Sequence, residues 1–468
     1  MGVLVYRGWA VGTSRRIKER KRRMIKNLDS IYKPVQYLGA KTRTLNTIVS
    51  ECSRLHKKDS YVVDLFSGSS LVSQALYLNG MPVIANDVMG FCSDMSASLL
   101  NVSKTKDSTK LLKQAIKNVL SYDVAAVFID PFRDFMSKEE RLIRQEDLHG
   151  LKELYSQLPV ISNELVGSSN QVLFIKNNID KEAFNSVPLI TNYYSGSYFG
   201  IRQSIRLDAI RNYIESFYHD NYDQWVYTTM LTALYSTLST IVHSAGKHFA
   251  QPISITDFDK GKITNKRLFE NRSFNVDELF VGFLEEILSK TDKVNLAPSS
   301  ISTCYDVQDK IFANLLDRES VSVIYADPPY TAQQYSRFYH IPEVVKWYRY
   351  PQLQQVQGHI TQGLYPDNKF KSDFCSKTKA KDAFRTVFAL VEKAQCNFIL
   401  SYSESKKNAT GNERMVTRND ILSIAKEFIP NYKAKQLKFD FDYKQLNSSA
   451  KVVHEKEDKE FLIIFEKK

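Results

Sequence analysis

Cysteine is scarce in this sequence, and the few cysteines present are not arranged for structural chemistry. The chain of 468 residues has five, none of them in a C-x-x-C pair, and they are widely scattered: Cys52, Cys92, Cys304, Cys375 and Cys396. An odd number at such spacing argues against a disulfide framework and against a zinc site. We therefore expect no bound metal, a reducing cytoplasmic location, and cysteines that pack as small hydrophobic side chains.

Long apolar runs are also missing. The chain starts with MGVLVYRGWAVGTS, in which apolar residues precede basic ones, the reverse of a secretory signal, and the run is too short to span a bilayer. Tyr6 stands where a myristoylation signal has Ser or Thr. We find no internal repeat or low-complexity tract. These absences predict a soluble protein without a membrane partner.

Glycine is scarce in the first predicted nucleotide-binding turn. Residues 61–66 are typical of a buried strand, residues 67–70 of a turn, residues 71–80 of a helix closed by a glycine, and residues 82–87 of a second strand. Gly68 is the single glycine of the turn, so the dinucleotide fingerprint G-x-G-x-x-G is missing. Asp87 follows Asp64 by 23 residues, where an acid commonly accepts from ribose hydroxyls. The pattern favours a ligand without phosphate; a βαβ unit that binds nothing is the alternative.

Positive charge, in contrast, is abundant. The chain has 64 Lys and Arg against 52 Asp and Glu, a net charge of +12 and a pI near 9.1. Such an excess favours a polyanionic partner, nucleic acid first. Residues 15–26 carry eight basic residues against one acid. They fit a nucleic-acid-binding arm and a solvated leader equally well.

The stretch VIYADPPY at residues 323–330 carries the clearest chemical signal. Its apolar half predicts a buried parallel strand, whose carboxyl end is where ligands bind in open α/β sheets. Pro328 and Pro329 force a stiff turn that exposes the Asp327 carboxylate and nearby carbonyls as acceptors, with Tyr330 as a flat plate beside them. Such a turn would orient an amino group on a planar ring as a nucleophile. The alternative is an ordinary proline turn with Asp327 as a helix cap.

Between residues 100 and 300 helical patterns dominate, with polar loops predicted at 185–200 and 243–252. This is more chain than one crossover needs, so we expect an inserted domain. Arg202 and Arg206 lie one helical turn apart, close to four aromatic residues (Tyr193, Tyr194, Tyr198 and Phe199), which suits phosphate contact with base stacking. A solvated helix face is the alternative. Lys247 is a similar candidate, and residues 125–132 (AAVFIDPF) are interpreted as a strand end.

Further segments complete the predicted sheet. Residues 301–306 form a strand that ends in Asp306, an acceptor for a ring amino group or a cap for a helix starting near Val307. After the proline turn, Gln333, Tyr335 and Arg337 are expected to border the substrate cleft. Residues 396–400 predict another strand, and FLIIFEKK at the end predicts an antiparallel edge strand.

The motifs YLGAK (37–41), DLFSGS (64–69), ND (86–87), CYD (304–306), DPPY (327–330) and FILSYS (398–403) stand in this order in the chain. Together they resemble the Dam-like, alpha-group adenine-specific DNA methyltransferases, over roughly residues 33–100 and 300–405. The resemblance implies binding of S-adenosylmethionine by Tyr37, Gly39, Lys41, Asp64, Phe66, Gly68, Asp87, Asp306 and Asp327. It implies a catalytic turn made of Asp327, Pro328, Pro329 and Tyr330. Ser70 departs from the pattern, because many members have a second glycine there.

These observations predict an α/β fold, a Rossmann-like S-adenosylmethionine-dependent methyltransferase sheet with a largely helical inserted target-recognition domain. The expected divisions are a basic leader (1–30), a catalytic domain (31–100 and 300–468) and the insert (101–299). The expected activity is transfer of a methyl group to N6 of a flipped adenine in double-stranded DNA, in restriction-modification or phage defence, with a cognate endonuclease or defence subunit as a further partner. DNA contacts are expected from Arg202, Arg206, Lys247, Tyr335 and Arg337.

Three alternatives stay open. In the first, the methyl acceptor is the amino group of cytosine. In the second, it is an adenine in RNA. In the third, the chain is a non-catalytic nucleic-acid-binding module on a methyltransferase scaffold. A nucleotide-dependent dehydrogenase is disfavoured by the single glycine of the first turn. The expected location is the cytoplasm, at the nucleoid through DNA binding.

Overall fold

The computed structural model describes residues 28–122, 129–163, 169–184, 187–253, 262–292, 299–404, 414–442 and 459–468. The predicted basic arm at 15–26 lies outside these residues. So does the first half of AAVFIDPF; its described end, Asp130–Phe132, is a turn of 3-10 helix leading into an α-helix, and the strand end expected there is wrong for that part.

A seven-stranded sheet in the order β3-β2-β1-β4-β7-β9-β8 organises the chain. Its strands are β1 (Tyr61–Asp64), β2 (Val83–Asn86), β3 (Ile301–Thr303), β4 (Val321–Ala326), β7 (Asn397–Glu404), β8 (Tyr432–Asp442) and β9 (Lys459–Lys467). Strands β3, β2, β1, β4 and β7 run parallel, whereas β9 is antiparallel to both β7 and β8. The strand order reverses between β1 and β4, the place where ligands bind in such sheets. A small hairpin of β5 (Gln355–Val356) and β6 (His359–Ile360) stands apart.

The helices of the described chain surround this sheet. They are α1 (Leu45–Leu55), α2 (Leu71–Leu78), α3 (Gly90–Leu99), α4 (Ser108–Val119), α5 (Arg133–Arg144), α6 (Leu148–Ser156), α7 (Asn170–Asn177), α8 (Leu189–Tyr194), α9 (Ile201–Asn221), α10 (Gln224–Ile241), α11 (Lys262–Ser273), α12 (Val276–Thr291), α13 (Lys310–Arg318), α14 (Tyr335–Phe338), α15 (His340–Trp347), α16 (Ala380–Ala394) and α17 (Arg418–Phe428). Short 3-10 turns occupy Leu28–Ser30, Asp130–Phe132, Ala245–Lys247 and Asp373–Cys375.

The central strands are apolar on both faces, because each face is covered by helices. Successive residues of a strand point to opposite faces, so Val62 and Val83 pack towards α1 and α2. Val63 and Ile84 pack towards α13, α16 and α17 on the other side. This explains why the strands read as short continuous hydrophobic runs in the sequence.

Helix α3 directly follows β2, and α10, a later helix of the segment between β2 and β3, packs against it. Trp225 of α10 donates its indole N–H to the Ser98 carbonyl at 3.0 Å, and Tyr235 donates its hydroxyl to Asp94 at 2.8 Å. Helix α10 is buried along nearly its whole length. The described elements between β2 and β3 are all helical, as the sequence predicted.

Two further details of the sequence prediction are wrong, and one strand was missed. The segment 185–200, predicted as a polar loop, contains α8, whose residues are all buried. FLIIFEKK belongs to β9, which is antiparallel as expected but lies inside the sheet, because β8 pairs with its outer side. The edge strand β8 was not predicted.

All five cysteines are free and four are buried, whereas Cys304 is exposed. In the described part of the chain, no helix has both the length and the apolar character needed to cross a bilayer.

Candidate active site

A cavity of about 1010 Å³, counting its open mouth, lies at the carboxyl ends of the parallel strands. Its walls include every residue predicted to surround the cofactor: Tyr37, Gly39, Lys41, Asp64, Phe66, Gly68, Asp87, Asp306 and Asp327. Of the predicted catalytic turn, Asp327 and Pro329 line the cavity, whereas Pro328 and Tyr330 are not part of its wall. The fold therefore brings residues from the start, middle and end of the sequence pattern into one space.

The turn after β1 is shaped by two residues with left-handed backbone conformation. Gly68 has φ +49°, and a Cβ there would lie 2.7 Å from the Tyr37 ring. Ser70 has φ +62° and stands just before α2. Only glycine adopts such angles without strain. Ser70 therefore takes the backbone conformation that a glycine would favour, which answers the question raised by the missing second glycine.

The end of β2 fixes this turn and the neighbouring strand end. Both oxygens of Asp87 accept backbone N–H groups, from Gly68 and Met89, each at 2.9 Å. Asn86 donates to the carbonyls of Leu65 and Tyr305. Burial raises the pKa of Asp87 to about 6, while these backbone donors lower it. The carboxylate is rigid and each oxygen has a lone pair left for a ligand hydroxyl.

Asp64 is almost completely buried at the end of β1. Its Oδ2 accepts from the Ser73 hydroxyl at 2.7 Å. Among the described residues, its Oδ1 has no hydrogen-bond partner. Burial raises the pKa of Asp64 to about 7, assisted by the nearby charges of Asp327 and Asp87 and opposed by Ser73. A buried acceptor without a donor is costly, so this oxygen points to a ligand that donates to it or carries positive charge.

Asp327 is held by a buried lysine. The Lys41 ammonium lies 2.8 Å from Asp327 Oδ2 and 2.9 Å from Glu460 Oε1. Asp327 Oδ1 is buried and has no hydrogen-bond partner in the described chain. Burial raises the pKa of Asp327 to about 6, although Lys41 lowers it. Burial alone would lower the pKa of Lys41, but the surrounding acids raise it well above its usual value, so the amine is protonated.

The Tyr330 ring in the turn is held in place by neighbouring side chains. The Arg414 guanidinium lies 4.7 Å from the centre of the Tyr330 ring, and Tyr402 packs edge-on against the ring at 5.5 Å. Arg414 donates to the carbonyl and hydroxyl of Ser403 in β7. The Tyr330 carbonyl accepts from Met415 N at 3.1 Å. These contacts restrict the ring, as an aromatic surface for a planar base requires.

Aromatic side chains also form the wall of the cavity. Phe66 packs edge-on against Phe374 at 5.2 Å, and Tyr37 stacks on Tyr339 at 4.6 Å with 9° between the rings. Tyr335 lines the cavity and donates its hydroxyl to the Leu38 carbonyl at 3.2 Å. The site therefore combines acidic acceptors with flat apolar surfaces, a combination suited to a nucleoside that carries a positive charge.

Asp306 does not cap a helix at Val307. Helix α13 begins at Lys310, after Asp309, and Asp306 Oδ1 instead accepts from Gln308 N at 3.0 Å within a turn. Burial raises the pKa of Asp306, and its side chain lines the cavity. Of the two roles considered from the sequence, only the acceptor role is compatible with this geometry.

The residues predicted to contact DNA differ in their exposure. Arg206 is mostly buried, pairs with Asp277 at 2.6 Å and donates to backbone carbonyls, which makes it a structural residue. Arg202 is 56% exposed and pairs with Glu140 at 2.8 Å. Lys247 is exposed, and Arg337 donates to the Tyr365 hydroxyl at 3.0 Å. The idea that aromatic residues near Arg202 stack on bases is wrong, because all four are buried: Tyr193, Tyr194, Tyr198 and Phe199.

Sequence reasoning missed three supporting residues of the site. Glu460 pairs with Lys41, Arg414 lies over the ring of Tyr330, and Phe374 packs edge-on against Phe66 in the cavity wall. An acid immediately before the apolar run FLIIF was the one available signal for Glu460. Nothing in the spacing indicated the other two.

Comparisons with known proteins find similarity over parts of this chain. A family model described as D12 class N6 adenine-specific DNA methyltransferase matches residues 37–156. The chain is 23% identical over 402 residues to "Modification methylase LlaI" of Lactococcus lactis subsp. lactis, which covers 84% of this chain and 49% of that protein. It is 32% identical over 148 residues to "Type II methyltransferase M.FokI" of Planomicrobium okeanokoites, which covers 30% of this chain and 20% of that protein.

A third relative, "Modification methylase StsI" of Streptococcus sanguinis, is 23% identical over 233 residues, which is 50% of this chain and 29% of that protein. The chain thus spans about half or less of the length of these relatives.

Proposed function

We propose that this protein is a Dam-like adenine-specific DNA methyltransferase that transfers a methyl group from S-adenosylmethionine to N6 of adenine. The observation that carries the proposal is the Asp327–Tyr330 turn at the switch point of the sheet, with one buried carboxylate oxygen of Asp327 lacking a partner in the described chain. The match of residues 37–156 to the adenine-specific family and the similarity to modification methylases support it.

The residues of the cavity fit S-adenosylmethionine. The cofactor is a cationic nucleoside without phosphate, and the cavity offers carboxylates, aromatic walls and a turn without the pyrophosphate fingerprint. The Oδ1 of Asp64, which has no partner among the described residues, is an acceptor at this wall, and Gly68 keeps the turn close to Tyr37. We assign Asp87 to the ribose hydroxyls and Asp306 to the adenine ring of the cofactor. When bound, S-adenosylmethionine supplies a methyl group on a cationic sulfur.

The contribution of the chain to transfer is orientation. Asp327 Oδ1 accepts one N–H of the adenine amino group, the Pro328 carbonyl accepts the other, and Tyr330 stacks on the base. With both hydrogens engaged, the nitrogen lone pair is directed out of the ring plane. In well-oriented reactions, fixing reactants in this way can supply roughly 7–11 kcal/mol of the barrier reduction. Extruding the base from the duplex costs about a few kcal/mol, which these contacts offset.

Double-stranded DNA is the proposed partner, in a restriction-modification or defence setting where a cognate nuclease acts on the same sequence. We assign residues 31–100 and 300–468 to catalysis and 101–299 to target recognition. Lys247, Arg202 and Arg337 are the proposed backbone contacts, with Tyr335 at the cleft. The excess of 64 basic over 52 acidic residues supports a polyanionic partner.

Product analysis tests the proposal and separates it from its alternatives. Purified protein is incubated with methyl-labelled S-adenosylmethionine and duplex DNA, and the nucleosides are identified after digestion. We expect label in N6-methyl-2′-deoxyadenosine from DNA. Label in N4-methyl-2′-deoxycytidine or only in RNA would overturn the choice of acceptor. DNA binding without any transfer would favour the non-catalytic module. Long-read sequencing of DNA from expressing cells would then give the target sequence.

A further inference from the structure

The buried ammonium of Lys41 joins two acids from distant parts of the chain. It lies 2.8 Å from Asp327 and 2.9 Å from Glu460, and the side chains of the three residues are 4%, 20% and 7% exposed. In the described part of the chain, its remaining hydrogen bond is to the Gly39 carbonyl at 3.4 Å. With these three acceptors the ammonium has used its donors. Lys41 is therefore directed at Asp327, not at a ligand in the cavity.

Glu460 reaches this place because of the direction of β9. In register, Glu460 lies opposite Ser403 of the antiparallel neighbour β7. The first residues of an antiparallel strand lie beside the carboxyl ends of its parallel neighbours. An acid at the second position of β9 is therefore placed at the end of the sheet where the cavity lies. The residues after it, FLIIF, are all buried in the core.

The charges of the three side chains have a chemical consequence. A buried pair of Lys41 and Asp327 alone would be neutral, and the cation would withdraw electron density from the carboxylate. With Glu460 as a second partner, the cluster carries a net charge of −1. The negative charge stays available at Asp327 Oδ1, the oxygen without a partner in the described chain.

We propose that Glu460 is a positioning residue for methyl transfer: as counter-ion of Lys41, it fixes the ammonium on Asp327 Oδ2 and preserves Oδ1 as a strong acceptor for the substrate amino group. The inference rests on the function proposed above. It assigns to the last strand of the chain a part in the catalytic turn that no motif indicated.

The ionisation of Asp327 supports this assignment. Burial raises the pKa of Asp327, Lys41 lowers it, and Glu460 raises it. The other titratable groups coupled to this cluster are Asp64 on β1, Tyr325 on β4 and Tyr330 in the turn. Removing the charge of Glu460 should lower the pKa of Asp327, whereas removing the charge of Lys41 should raise it. The two substitutions should therefore shift the pH dependence of transfer in opposite directions.

The test uses four variants of the full chain: Glu460→Gln, Lys41→Met, the double variant, and Glu466→Gln as a matched control. Glu466 lies on the same strand and pairs with Arg54 at 2.7 Å, but at the surface. Single-turnover methylation is measured from pH 5 to 9, with cofactor affinity by calorimetry and thermal unfolding in parallel.

We expect Glu460→Gln to lower the rate of transfer about 10-fold, with cofactor affinity within about 2-fold and the acid limb moved to lower pH. Lys41→Met should lower the rate about 100-fold and move the limb to higher pH, because two buried acids then lack their cation. The double variant should be both faster and more heat-stable than Lys41→Met alone, since one uncompensated charge is removed. Glu466→Gln should behave as wild type.

An unchanged rate and pH profile in Glu460→Gln, with an active wild type, would overturn the inference. Losses of thermal stability that simply add in the double variant would also overturn it, and this result does not depend on activity. A wild type that transfers no methyl group to adenine would overturn the proposed function, and the unfolding cycle then still decides whether Glu460 holds Lys41.

Discussion

Buried carboxylates occur at the carboxyl ends of the parallel strands and among the helices between β2 and β3. Their oxygens have different partners in the two places. Asp64 and Asp327 each keep one oxygen without a hydrogen-bond partner in the described chain. In the helical region, Asp208 accepts from Ile190 N, from the backbone and hydroxyl of Thr191, and from the Tyr348 hydroxyl. Burial raises the pKa of Asp64 to about 7 and of Asp208 to about 6.

Glu139 repeats the pattern of Asp208. It accepts from the Tyr155 hydroxyl at 2.5 Å and from the first N–H groups of α9, including Ile201 N at 2.9 Å. Such acids hold helices together, and the fold uses their full accepting capacity. Asp64 and Asp327 each leave one oxygen without a partner in the described chain, and we propose that a ligand uses it. Burial by itself does not distinguish a functional acid from a structural one. A buried carboxylate oxygen without a hydrogen-bond donor makes that distinction.

The largest expected effect is at Asp327. Asp327→Ala should lower methyl transfer by at least about 10³-fold, because the amino group loses the acceptor that orients it. Rates come from single-turnover assays, with circular dichroism to confirm folding. Cofactor binding should persist, since Asp64 and Asp87 are intact. Turnover at the wild-type rate would show that this oxygen is not kept for the substrate.

Asp208→Asn should affect stability instead. An amide nitrogen would face hydrogen-bond donors at a fully buried site, so the free energy of unfolding should fall by about 3 kcal/mol. Urea denaturation measures this value. Glu285→Gln on the exposed side of α12 is a suitable control, with a change below about 0.5 kcal/mol expected. A loss of catalysis without any loss of stability would contradict a structural role.

The pH dependence should separate activity from stability. Asp327 accepts only when ionised, and its pKa is raised to about 6, so kcat/KM should fall about tenfold per pH unit below that value. The folded-state pKa values of Asp327 and Asp64 lie above the unfolded value of about 3.9. The folded state therefore binds these protons more tightly, and their protonation between pH 7 and 5 stabilises the fold. A rate that stays constant down to pH 5 would exclude Asp327 as the acceptor.

Two residues of the turn after β1 should respond in opposite ways. Gly68→Ala places a methyl group against Tyr37, which is stacked on Tyr339, so cofactor affinity should fall about tenfold. Ser70→Gly relieves a left-handed serine whose buried hydroxyl has no partner in the described chain. It should gain up to about 1 kcal/mol of stability and keep activity. Calorimetry and thermal unfolding measure both; a destabilising Ser70→Gly would contradict the strain.

The strand ends of the sheet could be predicted from the sequence because their signals are local. Short apolar runs ending in Asp64, Asp87 and Asp327 place acids at one edge whatever surrounds them. The partners of these acids could not be predicted. Glu460 meets Lys41 only through the antiparallel pairing of β9, and Tyr348 meets Asp208 across 140 residues. Charge and aromatic content near Arg206 suggested a surface, whereas tertiary packing turned both inwards.

Cofactor-dependent unfolding of Asp64→Asn and Asp208→Asn tests the comparison most directly. Each variant is heated at pH 8 with and without S-adenosylmethionine, and the shift of Tm is recorded. We expect Asp64→Asn to be at least as stable as wild type and to lose most of the shift, because the amide removes a buried charge together with an acceptor. Asp208→Asn should have a lower Tm and keep the full shift. The reverse result, a destabilised Asp64→Asn that retains the shift, would contradict the assignment of the sheet-edge acids to a ligand.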